Sequence, residues 1–292
     1  TSTAYTIIRA ENEGRVVFDG GGIRSMFSLT ASSRVPQYLE FRGIKWINSG
    51  GEPVVFISNA HHIKMLHVGG GDSLSLSSSA RPFYVTKSSY ILLEDAYAWG
   101  AGRYKFQFFV SDHIICRRCV ARTDATNGFS GSTPSVIAVF QSYCSQHVEF
   151  QNSIAIDTDT PQYWTNYAYL EGGFTIHPYC TTFNKGSDDT FIRGSMALNV
   201  QQNSGIFSGS APRHHFIDFV GWDTLRGLWG TTAAAPNNPT VDHSLFGNMK
   251  HATKGNGIQD QTGGRVAVTN SIYNNNYSNA LYGVGSSNYN SL

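Results

Sequence analysis

Apolar and polar residues alternate along this chain in short bursts, and the bursts recur. The stretches LEFRGIKW (39–46), IKMLHV (63–68), ILLEDAYAW (91–99), IICRRCVAR (114–122), VEFQNSIAI (148–156), TFIRGSMAL (190–198), IDFVGWDTL (217–225), SLFGNMK (244–250) and VAVTNSIY (266–273) share one plan. A short alternating strand meets a small or turn-forming residue, and a second alternating piece follows. Period-two alternation is what a strand with one buried face requires. Aligned on the turn, the stretches give a column of Gly43, His67, Asp95, Arg118, Asn152, Gly194, Gly221, Gly247 or Asn248, and Asn270. Gly and Asn dominate it, the residues that enter a left-handed bend at least steric cost. Two positions earlier stand Phe41, Met65, Leu93, Cys116, Phe150, Ile192, Phe219, Phe246 and Val268; two before those, Leu39, Ile63, Ile91, Ile114, Val148, Ile217 and Val266. The residue between the two apolar columns is often polar, as at Glu40, Lys64, Glu149 and Asp218.

Successive turns lie about 22 to 42 residues apart, mostly 22 to 28, the length of one turn of a three-sided solenoid with the excess looped out. Leucine-rich repeats would need L-x-x-L-x-L-x-x-N, which is absent, and propeller blades need four strands per period of about 40. A β-sandwich would not align one turn column nine times. The expected fold is all-β: a parallel β-helix of roughly ten coils with loop insertions, residues 1–292 forming a single domain. No coil can bury its apolar face alone; stacking buries it continuously and pairs the backbone between neighbours.

Composition sharpens this picture. Of 292 residues, 40% are apolar and only 14% charged, against a usual quarter, so Ser, Thr, Asn and Gly must build the polar surface, as in secreted β-proteins. A net charge of +1 offers no concentrated basic face for nucleic acid, and no apolar run reaches the 18 or so residues of a membrane span. The chain opens at Thr1 with TSTAYTIIRAENEGRVVFDG, already readable as structure, so a processed or excised segment is expected, its export signal gone. Neither end shows a capping helix. Bare terminal coils expose strand edges, which predicts either excision from a longer protein or end-to-end stacking into a fibre.

The segments YLEFRGIKWIN (38–48), HHIKMLHV (61–68) and AYTIIRAENEGRVVFDGGG (4–22) resemble the repeat and the opening coils of the pectate-lyase-like superfamily of right-handed parallel β-helices. The resemblance covers nearly the whole chain and implies the fold. It is not specific for an activity, because the superfamily includes lyases, hydrolases, epimerases, phage tailspikes and non-catalytic surface proteins; the expectation drawn from it is an extracellular protein that binds polysaccharide, with cleavage left open.

Register places Glu94, Asp95, Arg117 and Arg118 in one patch, with Lys64 below and Arg122 along the rung. The resemblance implies uronate chemistry there, with Arg117, Arg118 or Lys64 as the base; no cofactor is required, and calcium, if used, would find only two side-chain ligands in Glu94 and Asp95. The competing reading is cross-strand ion pairing that stabilises a rung and does nothing else; no lyase motif is intact. A second candidate is the insertion DTDTPQYWTNYAYLEGG (157–173) followed by KGSDD (185–189). Tyr163, Trp164, Tyr167 and Tyr169 offer flat faces to sugar rings, and Asp157 and Asp159 offer carboxylates. Cys116 and Cys119 have C-x-x-C spacing but no second ligand pair for zinc, so they are expected to pack as small interior residues; a bridge to Cys144 stays open. The doublets His61-His62 and His214-His215 are expected to split across the strand and to clamp no metal. Asn276-Tyr277-Ser278 is a glycosylation sequon. Two functions follow as expectations: a polysaccharide-binding and polysaccharide-cleaving protein, or a structural subunit stacked into an extracellular filament.

Overall fold

The computed structural model describes residues 4–31, 33–50, 53–72, 81–100, 103–123, 138–157, 172–177, 180–183, 186–200, 204–209, 213–230, 239–249, 255–260, 266–274, 281–282 and 286–288. Three all-parallel sheets of 11, 10 and 10 strands run its length. The chain visits them in turn, so each strand pairs with the strand three elements earlier. This is the right-handed parallel β-helix the repeat predicts. Among the described residues the single helical element is a 3-10 turn at Thr181–Phe183, and no helix is long and apolar enough to cross a membrane.

Two inward positions per strand on the 11-stranded sheet build one wall of the core. Leu39, Ile63, Ile91, Ile114 and Val148 stack in register, as do Phe41, Met65, Leu93, Cys116, Phe150 and Ile192. Beyond Ile192 the observed register departs from the sequence alignment. Ile192 pairs with Phe216 and Arg193 with Ile217, and Phe216 pairs with Val241. Phe216 and Val241 therefore fill the positions assigned above to Phe219 and Phe246, and Ile217 is a half-buried outward residue. The bend residues there are Asp218 and His243, both with positive φ, rather than Gly221 and Gly247. Those two glycines sit inside strands of a second sheet, Val220–Trp222 and Leu245–Gly247.

That second sheet supplies small inward residues, Gly70, Ala98, Ala121, Ala155 and Ala197. The third supplies large ones: Phe83, Phe106, Phe140 and Phe174 stack face to face at centroid distances of 4.8, 5.1 and 4.8 Å. The columns are complementary, because a Cβ at Gly70 would lie 2.8 Å from the Phe83 ring.

Bends that follow strands of the 11-stranded sheet carry a left-handed residue. His67, Asp95, Arg118 and Asn152 have φ of 50 to 53°, with Val68, Ala96, Cys119 and Ser153 after them. Serine hydroxyls in these columns accept from the backbone amide one coil below, as Ser153 Oγ does from Cys119 and Ser195 Oγ from Ser153. All four cysteines are paired: Cys116 with Cys119 across one bend, and Cys144 with Cys180 across 36 residues. The unpaired packing expected of Cys116 and Cys119 is corrected by this, as is the bridge to Cys144 from that pair. Their spacing spans a bend tight enough to bring the two α-carbons within 5.9 Å.

Candidate functional site

The outer face of the 11-stranded sheet carries the richest side-chain chemistry. At its entry edge the strands begin with left-handed residues in one column: Tyr38, His62, Tyr90, His113, His147, then Asp189 and Arg213, with φ from 51 to 61°. The bend turns each side chain along the coil axis, so the rings stack. Successive centroids from Tyr38 to His147 are 4.7, 4.8, 4.7 and 4.5 Å apart, each interplanar angle being at most 26°. Beyond the rings, Asp189 takes both forks of Arg213, with Nη2 to Oδ2 at 2.9 Å.

Beside the rings runs a trough of about 390 Å³. Its floor is the outward column Lys64, Leu92, Ile115, Glu149 and Phe191, with Tyr5 closing one end. Tyr5 lies under the Lys64 ammonium at 4.1 Å. Arg193 lies 4.6 Å from the Phe191 ring and donates from Nε to Glu149 at 2.9 Å. Five consecutive coils contribute, which at a strand spacing of about 4.8 Å gives a length of roughly 19 Å.

The carboxyls around His147 and Arg213 have opposite tuning. Burial, with the neighbouring Asp189 charge, lifts the Asp188 carboxyl above its ordinary range against the pull of Arg213 and a hydrogen bond from Gln146. Its Oδ1 is buried and finds no partner among the described residues. The Arg213 hydrogen bonds hold adjacent Asp189 below the usual carboxylate range. At Asp112, burial works upward, but hydrogen bonds from His147 and His113 and their charges outweigh it, and the carboxyl falls below its ordinary value. Asp112 Oδ1 is 2.7 Å from His147 Nδ1, and Oδ2 is 2.9 Å from His113 Nδ1.

Of the residues singled out from sequence, Lys64 lines the trough. Glu94, Asp95, Arg117 and Arg118 do come together, along its far edge, where they engage one another. Arg118 donates from Nε and Nη2 to the two oxygens of Asp95, each at 2.7 Å, and from Nη2 to Glu94 at 2.5 Å. Arg117 donates from Nε to Gln151 at 2.7 Å and lies 3.7 Å from Glu94. The Arg118 hydrogen bonds lower the Asp95 carboxyl, and those of Asp95 and Glu94 raise the Arg118 guanidinium. An arginine so held does not release a proton, and both carboxylates face cations already. Asp157 ends the strand Ile154–Asp157, opposite Thr123; its side chain and Tyr163, Trp164, Tyr167 and Asp159 lie outside the described residues.

The histidine doublets behave differently from each other. His214 points into the core and His215 outward, as alternation requires. His61 and His62 do not separate: the left-handed φ of His62 brings their Nδ1 atoms to 2.8 Å. Sequence reasoning missed the ring column and Asp112, His113, His147, Asp188 and Asp189 as a group. An aromatic or His at the second position of HHIKML, SYILLE, DHIICR and QHVEFQ was the available signal.

No protein-family model matches the chain, and no curated protein is similar to it in sequence. Solved structures do share its architecture. The catalytic domain of a GH87 α-1,3-glucanase, determined with tetrasaccharides, superposes with a TM-score of 0.56 at 13% identity, over 99% of this chain and 61% of that one. The tailspike protein of E. coli bacteriophage HK620 gives 0.55 at 11% identity, over 92% and 49%. The chain thus spans about three fifths of the first and about half of the second. What these similarities define is the class: a parallel β-helix.

Proposed function

We propose that this protein binds polysaccharide along the trough of the 11-stranded sheet and hydrolyses it there. The observation that carries the reading is the trough itself: an open groove crossing five coils, floored by Leu92, Ile115 and Phe191 with the charged Lys64 and Glu149 among them, and lined at one end by Asp189. Sugar rings present apolar faces and hydroxyl edges, and Tyr90, Leu92, Ile115 and Phe191 beside Lys64, Glu149 and Asp189 answer both. The shared fold of a glucanase and a phage tailspike supports the reading, and so does the pairing of all four cysteines, which fits an extracellular, oxidising setting.

Hydrolysis needs a carboxyl that holds its proton and one that does not. Asp188, raised by burial, would donate to the glycosidic oxygen. Asp189, kept ionised by Arg213, would direct water or stabilise positive charge on the sugar ring. The test is a panel of neutral and acidic polysaccharides assayed for binding and for new reducing ends. Tyr90→Ala and Phe191→Ala should weaken binding at least 10-fold, and Asp188→Asn should abolish turnover while binding persists. Absence of binding across the panel sinks the reading. An ultraviolet-absorbing unsaturated product would instead indicate elimination and turn attention to Arg117, Arg118 and Lys64, with calcium at Glu94 and Asp95.

A second reading rests on the first coil, where the inward-facing Ile8 and Phe18 are 45% and 49% exposed. Stacking of a second copy on this end would cover them and build a filament. Negative-stain electron microscopy separates the two readings: filaments support stacking, and discrete short rods at high concentration remove it.

A further inference from the structure

We infer that Asp112, His113 and His147 form a binding site for one divalent transition-metal ion of the Zn²⁺ class. The strands Asp112–Arg117 and Gln146–Gln151 are neighbours in register, Asp112 opposite Gln146. Left-handed φ values of 52 and 51° at His113 and His147 swing both rings out of the sheet and stack them at 4.5 Å. Each then turns Nδ1 towards the carboxylate of Asp112. One ligand atom from each of the three residues lies within 4.8 Å of the others. Both histidines are exposed, so an ion can reach the site and keep water in its remaining positions.

Hydrogen bonding alone leaves this cluster with a deficit. His147 Nδ1 faces Asp112 at 2.7 Å, and its Nε2 faces Asp189 Oδ2 at 3.4 Å. A neutral imidazole carries one N–H, and an ionised carboxylate can only accept. An imidazole with one N–H, so placed, can donate to one of its two acidic neighbours and turns a lone pair on the other, while Asp189 also takes both forks of Arg213. A cation between His147 Nδ1, His113 Nδ1 and Asp112 removes the conflict. The proton then sits on Nε2 and points to Asp189, the carboxylate–histidine–metal arrangement that fixes tautomer and ring orientation. Two imidazole nitrogens and one carboxylate oxygen suit Zn²⁺, Co²⁺, Ni²⁺ or Cu²⁺; calcium and magnesium want oxygen ligands throughout.

The experiment is a titration of the chelator-treated full chain with Co²⁺ at pH 7.5, followed by visible absorption, with Zn²⁺ added to displace it. One saturable equivalent is expected. His113→Asn and His147→Asn should each weaken binding at least 10-fold, since Asn accepts the left-handed backbone and the coil is retained, as circular dichroism would confirm. Asp189→Asn should weaken binding about 10-fold through the outer contact. No saturable absorption, or a parent-like titration of both histidine variants, overturns the site. So does NMR evidence that His147 is a protonated imidazolium at pH 7.5 whose signals ignore one equivalent of Zn²⁺. None of these readouts involves a glycan, so failure here leaves the polysaccharide reading standing, and the reverse also holds.

Discussion

His214 occupies the inward column of its strand, opposite Thr190, in the column that Leu39, Ile63, Ile91, Ile114 and Val148 fill in earlier coils. It is fully buried, faces Ser208 Oγ through Nδ1 at 2.9 Å, and reaches the Ser187 carbonyl through Nε2 at 3.0 Å. This arrangement fits a neutral ring donating from Nε2 to the carbonyl and accepting from the serine. Burial drives its pKa down to about 4. The folded pKa lies below the unfolded one, so the unfolded chain binds the extra proton, and stability is full above about 6.5 and falls as pH drops towards 4. The loss should approach roughly 3 kcal/mol. Denaturant midpoints measured from pH 7.5 to 4 would report it, and His214→Gln should flatten that part of the profile. Asp95, Asp112 and Asp189, each held below the usual range, extend the loss to lower pH by the same sign. At the far edge of the trough, Arg118→Ala should lower stability slightly, an effect that disappears in high salt.

At the scale of a strand, packing is a matter of matched columns. Phe140→Ala would open the aromatic stack between Phe106 and Phe174, at an expected cost of about 3–5 kcal/mol by chemical denaturation. Gly70→Leu should destabilise too, by 1–3 kcal/mol or more, because the added atoms meet Phe83. The same columns explain what could be read from sequence. The first five stretches carry apolar-x-apolar ahead of a single bend residue, the sixth has Thr190 at the first of those positions, and the alignment of all six is the observed register. At the seventh, two inward phenylalanines, Phe216 and Phe219, stand three apart around the bend residue Asp218. Gly221 then imitates a bend although it lies within the next strand, where its missing side chain admits Phe246, whose ring would lie 3.1 Å from a Cβ there. A glycine that makes room and a glycine that turns the chain are identical as letters. The site was less legible for a related reason. Alternation predicts that the second residue of each outer strand points away from its neighbours, whereas a left-handed φ there brings His62, Tyr90, His113 and His147 into one stack. The charged patch at Glu94 to Arg118 was legible because those residues follow the ordinary register.

For the whole molecule, each coil touches mainly the coils above and below it, so stability is close to a sum over neighbours. The Cys144–Cys180 bridge ties a bend to the following loop across 36 residues. Its loss in a Cys144→Ser/Cys180→Ser double variant should cost on the order of 3 kcal/mol, measured as a lowered denaturation midpoint. The damage should be local, with amide exchange rising around these coils before the flanking ones. The bend pair Cys116–Cys119 closes only a short loop and should contribute less.

Because successive coils stack strand on strand along the 11-stranded sheet, the trough has a length counted in whole units. Removing or adding one coil within it would change that length by one strand spacing, about 4.8 Å, while the chemistry at each remaining position stayed the same. The repeat therefore acts as a ruler: the number of coils sets how much of an extended polymer is held at once, and the residues on each coil set what is held at that mark. Size preference and chemical preference are written in separate variables, and a duplicated or deleted coil would alter the first without rewriting the second.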